Sequence, residues 1–320
     1  MWVFRNKLDE FENATMNKAR YLKEEDFVKQ LPSFECHEHP EYIFKLDKAL
    51  YGLMQAPRAW NERLSRFLLE NGFTREKIDN TLFLKKQGRN LLILQVYVDD
   101  IIFGATNDSS CEEFVKLMGS EFEMSMMGEL NFFLGLQVKQ TSKEMMISQQ
   151  KYIKELLKRF EMESSKTINT SIATATRLDM DAPGSPVNET MYRGIIGSLL
   201  YLTASRPDIV FSVGLYSRFQ SIPKESHLKA AKRILRYLKG THDLVLYYPS
   251  GDNLELIGYV DADYVGYLVD RNNTSGMAHF LVSCLISWGT KKQNSVTLST
   301  AEAEYVAAAS CCAQLLWIKY

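Results

Sequence analysis

Two adjacent aspartates between two apolar runs constrain this chain more than any other feature. Leu91 to Val98 precedes the pair Asp99-Asp100, and Ile101 to Gly104 follows it. Two β-prone apolar runs separated by two residues predict a β-hairpin. Like charges on a partly buried turn repel each other and lose hydration. A divalent cation would offset both costs, because Mg²⁺ prefers oxygen ligands. An Asp-Asp turn in solvent is the alternative.

The rest of the chain alternates between helical and strand-like periodicity. Helical spacing predicts helices over 57–71, 110–122, 148–162 (opened by Ser148), 189–204, 207–219, 224–239 and 299–319. Strands are predicted over 132–138, 254–260, 276–282 and 285–288. Polar stretches such as Glu24-Glu25-Asp26 predict loops with one short strand in residues 1–45, and Ser, Thr, Asp and Pro predict a linker over 164–190.

A second group of acids lies in the last third of the chain. Asp261 and Asp263 share one face of a predicted strand, because side chains alternate along a strand. Ser299 followed three residues later by Glu302 fits a capping box, which leaves Glu304 for another role. Residues 302 and 304 lie about 200° apart around a helix, so only one of them can face Asp261.

Charge is distributed unevenly although the net charge is only −1. The segment 224–239 holds six basic residues against the single acid Glu225. We expect its basic side chains to lie largely in solvent, where they suit a phosphate backbone, although a solvated helix face without that role would look the same. No apolar run approaches the ~18 residues of a membrane span, and no secretory signal is evident, so an intracellular protein, cytoplasmic or nuclear, is expected.

Several motifs together resemble one family. Tyr97-Val98-Asp99-Asp100 resembles the catalytic hairpin of reverse transcriptases. Residues 50–60, Leu-Tyr-Gly-Leu-Met-Gln-Ala-Pro-Arg-Ala-Trp, resemble the preceding motif of copia-type retrotransposon Pol polyproteins, which usually has Lys in place of Met54. Residues 133–138 resemble the primer-gripping hairpin, and 201–209 and 229–241 resemble the downstream region. The resemblance covers nearly the whole chain in order.

The resemblance implies an α+β fold, with a palm, thumb and connection remnant of reverse transcriptase followed by a partial RNase H-like α/β domain. The implied divisions are 1–140 for partial fingers and palm, 141–249 for thumb- and connection-like helices, and 250–320 for the truncated RNase H-like domain.

The resemblance also implies roles for individual residues. Catalytic carboxylates that bind Mg²⁺ or Mn²⁺ are Asp99 and Asp100 and, in the last third, Asp261 and Glu304. Gln55 and Tyr97 contact nucleotide or template. The phosphates of an RNA template and DNA primer, or of an RNA–DNA hybrid, are contacted by Lys229, Lys232, Arg233, Arg236 and Lys239.

One element of the family pattern is missing. The family's polymerase site uses a third carboxylate on an upstream strand, and none of Asp9, Asp26 and Asp47 has that context. Family segments join across Arg20 and Tyr21, which predicts a palm sheet with an exposed edge. The sequence also stops at the first RNase H helix, before the later acids. Two functions follow as alternatives: an RNA-directed DNA polymerase with RNase H that is inactive in this copy, or a non-catalytic nucleic-acid-binding relic.

Overall fold

The computed structural model describes residues 2–6, 20–30, 36–39, 41–49, 56–173, 178–251, 255–264 and 269–319. The chain divides into two compact units, Met1–Leu130 and Asn131–Tyr320. None of the helices in those described ranges is both long and apolar enough to cross a membrane.

The amino-terminal unit is built on an antiparallel sheet. Its strands are β1 (Trp2–Asn6), β2 (Arg20–Lys29), β3 (Ile43–Ala49), β4 (Thr74–Arg75), β5 (Leu82–Gln87), β6 (Asn90–Tyr97), β7 (Asp100–Ala105) and β8 (Met124–Glu129), and its helices are α1 (Ala56–Glu70) and α2 (Asp108–Glu121). Six strands form one sheet in the order β4-β5-β6-β7-β1-β8, while β2 and β3 form a separate ribbon.

One face of the six-stranded sheet is packed against α1 and α2. Leu92, Leu94 and Val96 of β6 are buried, whereas Ile93 and Tyr97 between and after them are exposed. This alternation is what a half-covered antiparallel strand requires. The same core contains aromatic and aliphatic residues of both helices, namely Trp60, Leu64, Leu68, Phe114 and Met118. The predicted hairpin over 91–105 and its packing on the first helix are confirmed.

The prediction of loops with one short strand in residues 1–45 is wrong. Trp2–Asn6 is a strand, and the acidic stretch Glu24-Glu25-Asp26 lies inside β2. The pairing of β2 with β3, for example Asp26 with Leu46, supplies the backbone hydrogen bonds. Strand formation depends on such cross-strand partners more than on intrinsic propensity, so composition alone misled here.

The second unit begins with a small sheet and a helical bundle. The sheet order is β12-β11-β10-β9, from β9 (Phe132–Phe133), β10 (Leu136–Gln140), β11 (Glu144–Ser148) and β12 (Leu246–Pro249). The helices are α3 (Gln150–Arg159), α4 (Glu189–Leu202), α5 (Val210–Tyr216) and α6 (Glu225–Gly240), with short 3-10 turns at Pro207–Ile209 and Ser217–Phe219. Ser148 ends a strand and does not open α3, because its backbone pairs with Gln137 of β10.

The last segment of the second unit is a three-stranded antiparallel sheet with one helix. Strands β13 (Leu256–Asp263), β14 (Thr274–Leu281) and β15 (Cys284–Lys292) lie in that order, and α7 (Thr300–Lys319) packs on β13 and β14. The predicted three strands and final helix are confirmed, although β13 and β14 are shifted from their predicted bounds and β15 extends beyond its bounds at both ends.

A buried arginine joins the loop after α4 to the end of α6. The Arg206 side chain is only 2% exposed and donates two hydrogen bonds to Asp208 and two to Thr241. Burial acts to raise the pKa of the Asp208 carboxyl, but the hydrogen bonds and charge of Arg206 outweigh it and hold that pKa below its ordinary value. The stretch that resembled the family's downstream region therefore has a structural role in fixing the helices.

Candidate active site and nucleic-acid interface

The acid pair lies at a tight two-residue turn. Tyr97 at the end of β6 pairs with Asp100 at the start of β7, so Val98 and Asp99 form the turn itself. Val98 has a φ of 50°, a left-handed conformation that is unfavourable for a β-branched residue. Such strain costs on the order of 1–3 kcal/mol and persists only where the surroundings hold it in place.

Trp60 of α1 helps to keep the turn in this conformation. Its indole Nε1 donates a hydrogen bond of 2.6 Å to the carbonyl oxygen of Val98, and the side chain is only 3% exposed. The ring also packs edge-on against Phe122. The sequence placed Trp60 in the predicted helix 57–71 but gave no signal that its ring nitrogen would bond to the turn, because that contact depends on tertiary packing.

Asp99 and Asp100 are both half-buried, and Tyr97 beside them is 49% exposed. Two carboxylates and their solvent-facing turn suit one Mg²⁺ that keeps water ligands and takes substrate phosphates. Within the described ranges, no group of three His, Cys, Asp or Glu residues could hold a metal ion. Two carboxylates are fewer ligands than a two-ion cage requires.

Beside the hairpin, another strand covers the edge of β7. Strand β1 pairs antiparallel with β7 on one side and with β8 on the other. The amino-terminal strand thus covers the edge of β7 that would otherwise expose unpaired backbone groups. The sequence predicted an exposed edge without locating it; β7 is covered, and the sheet ends at β4 and β8.

Two other parts of the predicted polymerase site are Gln55 and the segment that resembles the primer-gripping hairpin. Gln55 lies outside the described residues. The segment resembling the primer-gripping hairpin is a hairpin of β9 and β10. Its turn residues Leu134 and Gly135 have φ values of 48° and 78°. The Tyr201 hydroxyl donates to the Leu134 carbonyl and crowds the Gly135 α-carbon, so a Cβ at 135 would collide with it.

The acids of the last third of the chain lie on β13 and in the first turns of α7. The Glu302 amide donates to Ser299 Oγ at 3.2 Å, and the Glu302 carboxylate accepts from the Leu298 amide at 2.7 Å. Glu302 therefore caps α7, as predicted. Glu304 reaches the strand instead, where its carboxylate accepts from the Ala262 amide at 3.4 Å.

Asp261 leaves β13 on the face opposite to α7. Gly258 faces α7, since a Cβ there would lie 2.8 Å from Leu315 Cδ1, and strand alternation puts Asp261 on the other face. Asp261 lines an open cleft that also contains Tyr259 and Trp288. The structure thus brings Glu304 beside the strand position of Asp261, with the two side chains approaching the edge from different faces.

The prediction that the basic residues of α6 are largely exposed is wrong for most of them. Lys229 is exposed and forms an ion pair with Glu225, whereas Lys232, Arg233, Arg236 and Lys239 are half-buried. Arg233 donates to Thr170 Oγ1 at 2.7 Å, and Lys239 donates to the Ser165 carbonyl at 2.7 Å. The segment 165–170 covers this part of the helix, which periodicity within the helix could not indicate.

A more exposed basic face lies on α3. Its exposed basic residues, set against the single acid Glu155, are Lys151, Lys154, Lys158 and Arg159. The buried residues Ile153, Leu156 and Leu157 fix the opposite face in the bundle core. Helix α3 carries four basic residues and one acid, whereas the segment 224–239 carries six and one. The ratio of basic to acidic residues therefore ranks α6 first, and only the fold shows that the basic face of α3 is the more exposed one.

The sequence is similar to known reverse transcriptases. Residues 2–174, more than half of the chain, match the family model described as reverse transcriptase (RNA-dependent DNA polymerase). The retrovirus-related Pol polyprotein from transposon RE1 of Arabidopsis thaliana is 38% identical over 297 residues, which are 93% of this chain and 20% of that protein.

Two further relatives come from other organisms. The retrovirus-related Pol polyprotein from transposon TNT 1-94 of Nicotiana tabacum is 33% identical over 93% of this chain and 23% of its own length. The putative transposon Ty5-1 protein of Saccharomyces cerevisiae is 32% identical over 93% of this chain and 96% of its own length. The chain spans about a fifth of the plant polyproteins that it matches.

Proposed function

The chain belongs to the reverse transcriptase family as a reverse transcriptase domain of copia-type Pol polyproteins, and from that premise we propose that Asp99 and Asp100 are its catalytic, metal-binding carboxylates. The observation that supports this role is the half-buried acid pair on a turn that Trp60 holds in a strained conformation. Rigid placement of charged groups is what a polymerase site needs, because positioning accounts for much of the rate.

The chemistry proposed for this site is RNA-directed DNA synthesis. A bound Mg²⁺ or Mn²⁺ would supply charge neutralisation for the triphosphate of the incoming nucleotide. Asp99 and Asp100 would hold that cation, and Tyr97 and Gln55 would contact nucleotide or template. With two carboxylates the cation is held through few protein ligands, so we expect little or no processive synthesis from this chain.

Templated incorporation of labelled nucleotide tests the proposal. Wild-type protein, Asp99→Asn and the distant control Asp108→Asn are compared on an RNA template with a DNA primer and Mg²⁺. We expect incorporation near background in all three. Clear incorporation that Asp99→Asn abolishes and Asp108→Asn retains would show a complete site and overturn the expected inactivity. Primer–template binding without incorporation is the behaviour of the non-catalytic alternative.

We propose that the second unit holds the nucleic acid through phosphate contacts. The exposed face of α3 and Lys229 of α6 are the accessible basic surfaces, while Lys232, Arg233, Arg236 and Lys239 would contribute from the half-buried side of α6. Such contacts position a duplex without reading its sequence. Reversal of Lys154 and Lys158 to Glu should weaken binding more than reversal of Lys232 and Arg236, and both should flatten the dependence of binding on salt. Equal binding by all variants would exclude both helices.

We further propose that residues 250–320 are the start of an RNase H-like domain, following partial fingers and palm over 1–140 and thumb- and connection-like helices over 141–249. Asp261 and Glu304 would share one cation beyond the outer edge of β13, where the Ala262 amide already orients Glu304. Loss of Mn²⁺ binding at this site in both Asp261→Asn and Glu304→Gln would support the pairing, and loss in only one of them would refute it.

A further inference from the structure

Helix α7 is apolar on two faces. Its inner face packs on β13 and β14. Its outer face carries Tyr305 and Leu316, whose side chains are 80% and 58% exposed. Between Glu304 and Lys319 the helix contains no charged residue. A helix that is apolar all round is normally buried on every side, so the composition of α7 predicts a partner for its outer face.

The outer face follows a heptad pattern. Six exposed residues recur at alternating steps of three and four, which is the spacing of positions a and d in a coiled coil. These six residues, which we call the heptad stripe, are Glu302, Tyr305, Ala309, Cys312, Leu316 and Lys319. Side chains with this spacing lie on one side of a helix, where they fit a second helix that carries the same pattern.

The heptad stripe is symmetric about its midpoint, which lies between Ala309 and Cys312. A twofold axis through that midpoint relates two antiparallel copies of the helix and presents the same surface from each. Position a of one copy then faces position d of the other. The facing pairs are Tyr305 with Leu316, Ala309 with Cys312, and Glu302 with Lys319.

The charges at the two ends of the heptad stripe favour the antiparallel direction. Antiparallel copies place Glu302 of one helix beside Lys319 of the other at both ends. Parallel copies would place like charges together at each end, which is repulsive. The helix cap engages Glu302 Oε2, and Oε1 can accept from that lysine. The small residues Ala309 and Cys312 at the centre let the two helix axes approach closely.

We infer that α7 pairs antiparallel with α7 of a second copy of this chain, and that the heptad stripe is a homodimer interface. The inference does not depend on the function proposed for either pair of acids. One helix pair buries less surface than the roughly 1,600 Å² of a standard interface, so the dimer is weak and reversible. The inner face of α7 stays on the sheet, and the fold of each copy is unchanged.

Sedimentation equilibrium of the full chain in reducing buffer tests the inference. We expect a monomer–dimer equilibrium that Tyr305→Glu and Leu316→Glu each weaken by about tenfold or more, because one substitution acts twice in a twofold pair. Lys319→Glu should weaken it by about two- to fivefold, since it places an acid opposite Glu302. The matched control is Ile222→Glu, at an isoleucine that is 55% exposed before α6, and it should dimerise like wild type.

Disulfide trapping tests the direction of the pair. The exposed cysteines Cys36 and Cys312 are replaced by serine, and Tyr305→Cys and Leu316→Cys are made separately in that background. An equimolar mixture of the two variants should form disulfide-linked dimers about fivefold faster than either variant alone, because a disulfide needs short Cα separations. If each variant links to itself as fast as to the other, the pairing is not antiparallel and the inference is wrong.

Two further results would overturn the inference. A monomer at every concentration would mean that the heptad stripe does not bind a second copy. Equal dimerisation of wild type, Tyr305→Glu and Leu316→Glu would mean that the dimer uses another surface. Far-ultraviolet circular dichroism of both variants should match wild type because the two positions are exposed, which separates loss of dimerisation from loss of the helix. If both variants unfold, Lys319→Glu at the end of the helix provides the deciding comparison.

Discussion

The two pairs of acids in this chain are built in different ways. Asp99 and Asp100 are neighbours in sequence on a two-residue turn, half-buried, with paired strands on both sides and Trp60 bonded to the turn. Asp261 and Glu304 are exposed and lie on different elements, and Glu304 reaches β13 only because α7 packs against that strand. The first pair depends on a buried core under one hairpin, and the second depends on the docking of one helix.

This difference determines where each pair is vulnerable. Core packing under β6 and β7 is dense, so a change there should distort the turn and unfold its unit together. The contact between α7 and the sheet uses small residues, Ala303, Ala307 and Cys311, so a modest added volume should move the helix and leave the rest of the chain folded.

Truncation of Trp60 should have the largest effect. Trp60→Ala removes a buried indole and its hydrogen bond to Val98, and should destabilise the amino-terminal unit by about 3–5 kcal/mol. Trp60→Phe keeps most of the packing and loses the bond, at about 1 kcal/mol. Hydrogen exchange of the peptide 91–105 measures both effects.

The control for Trp60 is a tryptophan at the surface. Trp317 is 62% exposed, and Trp317→Ala should change stability by no more than about 0.5 kcal/mol. Equal protection of 91–105 in Trp60→Ala and wild type would show that the turn does not need its support from α1, and the contrast between the two acid pairs would fail.

The hairpin was predictable from sequence because all its signals are local. Two apolar runs and two acids specify strands, turn and buried face within fifteen residues, and the helical spacing of Trp60 and Leu64 is equally local. The insertion of β1 beside β7 was not predictable, because Trp2 pairs with Phe103 across most of the unit. Backbone pairing of this kind leaves no periodic trace in either segment.

Overpacking at Gly258 should have an intermediate effect confined to the second acid pair. A Cβ at Gly258 would lie 2.8 Å from Leu315 Cδ1 and 2.9 Å from Cys311 Sγ, so Gly258→Ala should cost about 1–3 kcal/mol. We expect faster hydrogen exchange in α7 and weaker protection of Ala262, with the peptide 91–105 unchanged.

A glycine on the other face of the sheet provides the comparison. A Cβ at Gly276 meets nothing within 4 Å, and Gly276→Ala should be neutral or slightly stabilising, because alanine restricts the unfolded chain. Matching losses in both variants would mean that the strand backbone, and not the contact with α7, is sensitive.

The burial of α6 illustrates the limit of reading a helix by itself. Its apolar face was recognised from spacing, and Ile234, Leu235 and Leu238 are buried as expected. The basic residues beside that face were expected in solvent, yet Arg233 and Lys239 bond to Thr170 and Ser165. A linker without periodicity can cover any surface that offers hydrogen-bond donors, and only the folded chain reveals which one.

Substitution of the two glutamates of α7 should have the smallest effects on stability. It decides which glutamate caps the helix and which binds metal. Glu302→Ala and Glu304→Ala are the same substitution two residues apart in one helix, so changes in intrinsic helix propensity nearly cancel. Glu302→Ala loses the bond to the Leu298 amide and should cost about 1 kcal/mol without affecting Mn²⁺ binding. Glu304→Ala loses a long, exposed bond to Ala262 and should cost no more than about 0.5 kcal/mol, but it should remove Mn²⁺ binding at the edge of β13. Urea unfolding and Mn²⁺ titration of the two variants decide the matter. A larger loss of stability in Glu304→Ala, or a loss of Mn²⁺ binding in Glu302→Ala, would mean that the cap and the metal ligand are assigned in the wrong order. Glu302, and not Glu304, would then be the proposed partner of Asp261.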